Sequence, residues 1–168
     1  PNVSNTATTN LRLGALVDTE YAATTNATAT GDDITAVDDE DGATIPAMTA
    51  GGPAIIAVNV TNTSGAPGYL NVWVDFNNNG SFDDSGEQVM TNGGVTSGTN
   101  SSNVNVAFTV PAGAVTGIPL GVRVRITSDI SPGCFGSGCL GEVEDYVVTI
   151  AVPTTDFGDF SGFADASS

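Results

Sequence analysis

The segment Asp75-Phe-Asn77-Asn-Asn79-Gly80-Ser81-Phe-Asp83-Asp84-Ser-Gly-Glu87 carries oxygen-bearing side chains at alternate positions around a glycine. A hard cation such as calcium needs about six to eight oxygens converging on it, and a tight loop with alternating polar side chains can supply them. The first nine residues follow the calcium-loop pattern, with side-chain oxygens at Asp75, Asn77, Asn79 and Asp83, the bend at Gly80, and Ser81 where a backbone carbonyl is used. The pattern's closing carboxylate is displaced: Gly86 stands where it should be, and Glu87 follows one residue later. The loop also leaves a strand pattern rather than a helix. The competing reading is an Asn-Gly turn that holds no ion.

Two further acidic groups stand out. Asp32, Asp33, Asp38, Asp39, Glu40 and Asp41 place six carboxylates within ten residues, which repel one another unless solvated or neutralised. Either a flexible acidic loop or a metal site using Asp38, Asp39 and Asp41 fits that composition. Glu142, Glu144 and Asp145 open the last strand pattern, where alternation turns Glu142 and Glu144 toward the same side as Tyr146 and Val148. Inward carboxylates are costly unless something positive meets them. Arg123 and Arg125 point outward by the same alternation, so a cation shared with the acidic loop is the favoured partner.

The elements that would position these groups are strands. Period-2 alternation runs through Ile56-Val58-Val60, Leu70-Val72-Val74-Phe76, Val104-Val106-Phe108-Val110, Leu120-Val122-Val124-Ile126 and Tyr146-Val148-Ile150-Val152. Each is expected to have one wet face. Weaker strands are expected at 11–17 and 87–90, with turns at 62–68, 77–80, 92–103, 111–117 and 131–141. Trp73 has the opposite parity to Val72 and Val74, which suits partial cover by a loop or contact with a partner. No stretch has helical spacing, so the fold class is all-β, an antiparallel β-sandwich with long acidic loops. Residues 1–152 are expected to form one domain, with 153–168 as a linker or tail. The opening at Pro1, without Met, suggests a processed chain or one cut from something longer.

Composition narrows the function. Nineteen carboxylates face three arginines, with no Lys or His, for a net charge of −16. No basic patch exists to hold a phosphate backbone, which argues against nucleic acid. No apolar run reaches membrane-spanning length. Cys134 and Cys139 flank a glycine-rich turn and are read as a disulfide, closing a short loop for roughly 2 kcal/mol and implying an oxidising, extracellular setting. Two thiolates alone do not make a zinc site. With no His or Lys, and no base at identifiable spacing from a Ser, catalysis is not expected.

Gly141-Glu142-Val143-Glu144-Asp145-Tyr146 followed by Val-Val-Thr-Ile resembles the signature of the GEVED domain, a module of large bacterial secreted and cell-surface proteins. The resemblance continues through 13–20, 30–42, 60–65, 70–77 and 108–113, in order. It implies a non-enzymatic β-sandwich of repeated, adhesin-like architectures. Family members often open with Asp-Phe-Gly-Asp, whereas here Asp156-Phe157-Gly158-Asp159 comes near the end, followed by Phe160 and Phe163. That shift suggests a tail, anchored by Phe157, Phe160 and Phe163, that docks on the next copy; the competing reading is a tail folded back on its own sandwich. The function expected is therefore a secreted, calcium-stabilised subunit or repeat of a head-to-tail surface filament or stalk. The alternative is a calcium-dependent adhesin that grips glycans.

Overall fold

The computed structural model describes residues 10–16, 40–128, 130 and 141–154. Nine strands are present among them: β1 (Leu11–Leu13), β2 (Ala43–Thr44), β3 (Met48–Thr49), β4 (Pro53–Asn62), β5 (Gly68–Val74), β6 (Gln88–Val95), β7 (Thr99–Thr109), β8 (Pro119–Thr127) and β9 (Gly141–Ala151). They form two sheets, and the all-β sandwich expected from alternation is the fold observed.

In the first sheet β7 runs antiparallel along the whole of β4, from Pro53↔Thr109 to Asn62↔Thr99. A strand has two edges, so β1 and β2 share the other one end to end, at Val60–Asn62 and Ala57–Val58 respectively. The second sheet has the order β3-β9-β8-β5-β6. Its pairs are antiparallel except β3 with β9, where Met48 lies beside Ile150.

Between the sheets the alternating positions do what their apolarity requires. Ile56, Val58 and Val60 of β4 meet Leu70, Val72 and Val74 of β5 and Leu120, Val122, Val124 and Ile126 of β8, all fully buried. Burying each such side chain stabilises by roughly 1.5–3 kcal/mol relative to leaving it exposed. Leu11 and Leu13 of the three-residue β1 enter the same core.

The expectation of one wet face per strand fails in the second sheet. Asn71, Trp73, Arg123, Arg125, Thr127 and Asp145 lie on its outer side, and all are buried. Alternation therefore sets the parity of Arg123 and Arg125 correctly but not their surroundings, since a covered outer face needs its charges met by partners rather than by water. Trp73, 3% exposed, is buried more deeply than the partial cover expected of it.

The boundaries differ in several places. β1 stops at Leu13 instead of running to residue 17, and β9 stops at Ala151, leaving Val152 exposed. The expected turn at 92–103 is mostly strand, with only 96–98 between β6 and β7. Asn92 is held there by Asn71, whose Oδ1 accepts its N–H at 2.9 Å, and the ladder carries register shifts between Leu70 and Trp73.

Asn62 ends β4 as a buried turn-former. Its Nδ2 donates to the carbonyls of Val95 (2.8 Å) and Ala66 (2.9 Å), while its Oδ1 accepts from Ser64 Oγ at 2.7 Å. Asn62→Ala leaves the buried Val95 carbonyl without this donor and should cost about 2 kcal/mol. Urea unfolding should show a lower midpoint with an unchanged slope.

Candidate functional site

The residues 141–146 open β9 with three buried carboxylates, and alternation sends them to two sides. Glu142 (4% exposed) and Glu144 (2% exposed) face inward, and Asp145 faces outward. Glu142 Oε2 accepts the Leu13 N–H at 2.6 Å. Glu144 accepts the Gly42 N–H at 3.2 Å and the Tyr146 hydroxyl at 2.7 Å, and the same hydroxyl oxygen accepts the Ala43 N–H at 2.7 Å. Burial, and after it the charge and hydrogen bond of Glu144, push the Tyr146 phenol well above its ordinary value. Asp41, exposed, extends the set by accepting the Ala15 N–H at 3.0 Å and the Leu16 N–H at 3.4 Å.

This is a clasp: side chains on β9 and at Asp41 take up backbone donors of residues 13–16 and 42–43. It leaves no space at Gly42, where an added Cβ would lie 2.5 Å from Glu144 Oε2 and 2.6 Å from Leu13 Cβ. Gly141 is equally constrained, with φ +143° and an added Cβ only 1.9 Å from the Ile126 carbonyl oxygen.

On the outer side Asp145 lies directly across from Arg123 in the β8–β9 register. The guanidinium grips it with two hydrogen bonds, Nε to Oδ1 at 2.6 Å and Nη2 to Oδ2. The Phe82 ring lies over the guanidinium, 5.3 Å from centroid to carbon, adding a cation–π contact.

The other acidic centre closes the β5–β6 hairpin. Its base is fixed by backbone bonds: Val74 N–H donates to the Glu87 carbonyl and Asp75 N–H to the Gly121 carbonyl, both at 2.9 Å. Asp75, buried, accepts from the Asn79 N–H at 3.1 Å and the Gly80 N–H at 2.9 Å. Asn77 Oδ1 accepts the Asn79 N–H, Asn79 Oδ1 the Ser81 N–H, and Ser81 Oγ the Asp83 N–H, so each side chain folds back on the loop two residues ahead. The Asn77 and Asn79 amides both donate to Asp84 Oδ2, which lowers the Asp84 carboxyl below its ordinary value.

Glu87 is the exception in this loop. It is 2% exposed, and neither carboxylate oxygen has a hydrogen-bond partner. Burial, followed by the nearby charge of Asp75, raises its carboxyl above the ordinary value; the charge of Asp84 adds to this, while the backbone of Asn77 and Asp84 softens it. With Phe76, Asn77, Asp84, Pro111 and Ala114 it lines a cavity of about 220 Å³.

The structure thus brings Asp75, Asn77, Asn79, Ser81 and Glu87 of the expected ligand set into one loop, places Asp83 exposed at its rim, and joins Glu142, Glu144 and Asp41 in the clasp. Among the described residues no three His, Cys, Asp or Glu side chains form a metal-holding group on their own; the loop's donors are mixed carboxamides and carboxylates. Asp38, Asp39, Cys134, Cys139, Phe157, Phe160 and Phe163 lie outside the described residues. Sequence reasoning passed over Asp84, Tyr146 and Gly42. The phenol that ends the signature, and the glycine beside Asp41, were the available signals.

Arg123→Ala strands a buried Asp145 carboxylate and should destabilise by about 3–5 kcal/mol. Arg123→Ala combined with Asp145→Ala should cost less than the sum of the single changes, as read from urea unfolding of all four proteins.

No curated protein and no solved structure matches this chain. The family model described as the GEVED domain matches residues 69–149. The matched stretch takes in the β5–β6 loop, the Arg123–Asp145 pair and the three signature carboxylates, while the amides that Glu142 and Glu144 hold, on Leu13 and Gly42, lie before it. Over residues 69–149 the chain is similar to the GEVED domain.

Proposed function

We propose that this protein is a non-catalytic structural module of an extracellular bacterial assembly, stabilised by calcium and joined head to tail with copies of itself. The observation that carries the reading is the use made of the signature acids. Glu142 and Glu144 hold backbone amides and Asp145 holds Arg123. Groups committed in this way fix strands and are poorly placed to move protons on a substrate. The GEVED match supports a module of secreted or surface proteins. The net charge of −16 supports a stabilising role for divalent ions, because cations bound only to the folded form offset carboxylate repulsion.

The tail beyond β9, with Phe157, Phe160 and Phe163, is the proposed joint to the next copy. The adhesin reading is favoured by one feature, the cavity beside Asn77 and Asp84.

Calcium at about 100 times its Kd should stabilise the fold by about 2.7 kcal/mol, which in a domain of this size raises Tm by roughly 5–10 °C. Excess chelator should remove the gain in a thermal melt. Deleting residues 156–168 should leave folded monomers in place of assemblies when particles are imaged by negative stain. Assembly that persists without the tail overturns the joint, and calcium-dependent capture on a glycan array by an unassembled chain favours the adhesin.

A further inference from the structure

The β5–β6 loop contains a buried carboxylate that the fold itself does not satisfy. Every other side chain of the loop named above has a role in loop closure: Asp75, Asn77, Asn79 and Ser81 accept backbone N–H groups, and Asp84 accepts the two amides. Glu87 has both oxygens enclosed and no hydrogen bond of full geometry, with only the backbone N–H groups of Asn77 and Asp84 near it and the like charges of Asp75 and Asp84 beside it. An isolated buried carboxylate is among the most costly groups a fold can hold, so a native Glu at such a place points to a positive partner. The three arginines are Arg12, Arg123 and Arg125. Arg123 is engaged with Asp145, and Arg12 and Arg125 stand on β1 and β8, outside the cavity that Glu87 lines.

We propose that the loop is a divalent-cation site whose buried ligand is Glu87, completed by Asp75, Asn77, Asn79 and Asp84, with Asp83 taking no part. This deepens the calcium-stabilised reading above and rests on it. The donor chemistry suits a hard ion: the five side chains offer oxygen, with no nitrogen or sulfur ligand among them, and because the carboxylates alone form no metal-holding group, the Asn77 and Asn79 carboxamide oxygens are needed to complete the site. Asp84 belongs to the set because it lines the same cavity as Glu87 and Asn77 and its Oδ2 accepts the Asn77 and Asn79 amides, and Asp75 and Asn79 join it through their bonds within the same loop, whereas Asp83 does not line the cavity. The backbone joins the site to the sheet, because Glu87 pairs with Val74 at the mouth of the hairpin and Phe82, from the loop's middle, covers Arg123. Arg123 is the cross-strand partner of Trp73, the single tryptophan of the chain. Filling the site therefore fixes the cover over the outer face, and Trp73 fluorescence reports it.

The test compares full-length wild type with Glu87→Gln, Asp84→Asn and Asp83→Asn, by calcium titration of Trp73 fluorescence and by thermal melts in calcium and in chelator. Wild type should give a saturable fluorescence change. Glu87→Gln and Asp84→Asn should bind roughly tenfold more weakly or worse, while Asp83→Asn binds as wild type. Glu87→Gln should also invert its effect on Tm, melting above wild type in chelator, where it removes a buried charge, and below it in calcium, where it removes a ligand. Wild-type affinity in Glu87→Gln, or loss of binding in Asp83→Asn alone, overturns the assignment and leaves a calcium-stabilised module standing. A wild-type melt that calcium does not move overturns both.

Discussion

A carboxylate taken out of water costs several kcal/mol unless donors or positive charge meet it, and β9 buries three within four residues. Much of the architecture at that end of the sandwich follows from meeting them. Because a strand alternates, Glu142 and Glu144 fall on one side and Asp145 on the other, and the two sides hold different partners. The inner pair draws in backbone donors from the start of the chain and from residues 42–43, groups that need acceptors themselves once buried. The outer acid meets a guanidinium on the adjacent strand, with two bonds in a fixed plane. Register is thereby over-determined: a slip of one residue between β8 and β9 would separate Arg123 from Asp145, and a slip within β9 would turn Glu144 away from Gly42.

The clasp also explains why a three-residue strand such as β1 holds its place. Three backbone pairs with β4 are a weak attachment, but Leu11 and Leu13 bury their side chains and Leu13 N–H is bound by Glu142. The close approach of Leu13, Gly42 and Glu144 is possible only because position 42 has no side chain.

The parts of this legible in the sequence are those where local pattern and burial agree. Ile56 to Val60, Leu70 to Val74 and Leu120 to Ile126 alternate, and they are the core. Inward carboxylates at 142 and 144 also followed from parity. What parity does not carry is the nature of the cover on each side, so Arg123 and Arg125 read as wet when they are enclosed. Two-residue strands such as β2 and β3 have no period to detect; they exist because β4 and β9 offer edges. Asn92 to Val95 has the composition of a turn, and it is held extended by Asn71 and the β5 ladder. In the loop, counting positions from Asp75 selects Asp83, whereas the chain's course after Ser81 turns Asp84, exposed like Asp83, toward the two Asn amides.

Glu87 and Glu144 make an instructive contrast, since both are 2% exposed glutamates at the start or within the first turns of a strand pairing. Glu144 arrives where amide and phenol donors converge, so its charge strengthens contacts between distant parts of the chain. Glu87 arrives among Asp75 and Asp84, where its charge opposes its neighbours. The backbone around Glu87 is nonetheless tied: Val74 N–H reaches its carbonyl, Asp75 N–H reaches Gly121 on β8, and Val115 N–H reaches the Phe76 carbonyl. The loop cannot relieve the repulsion by moving its base without breaking bonds to β8 and to the 111–117 segment. The backbone bonds at its base thus tie the Glu87 position to β5, β6 and β8 together rather than to the loop tip alone.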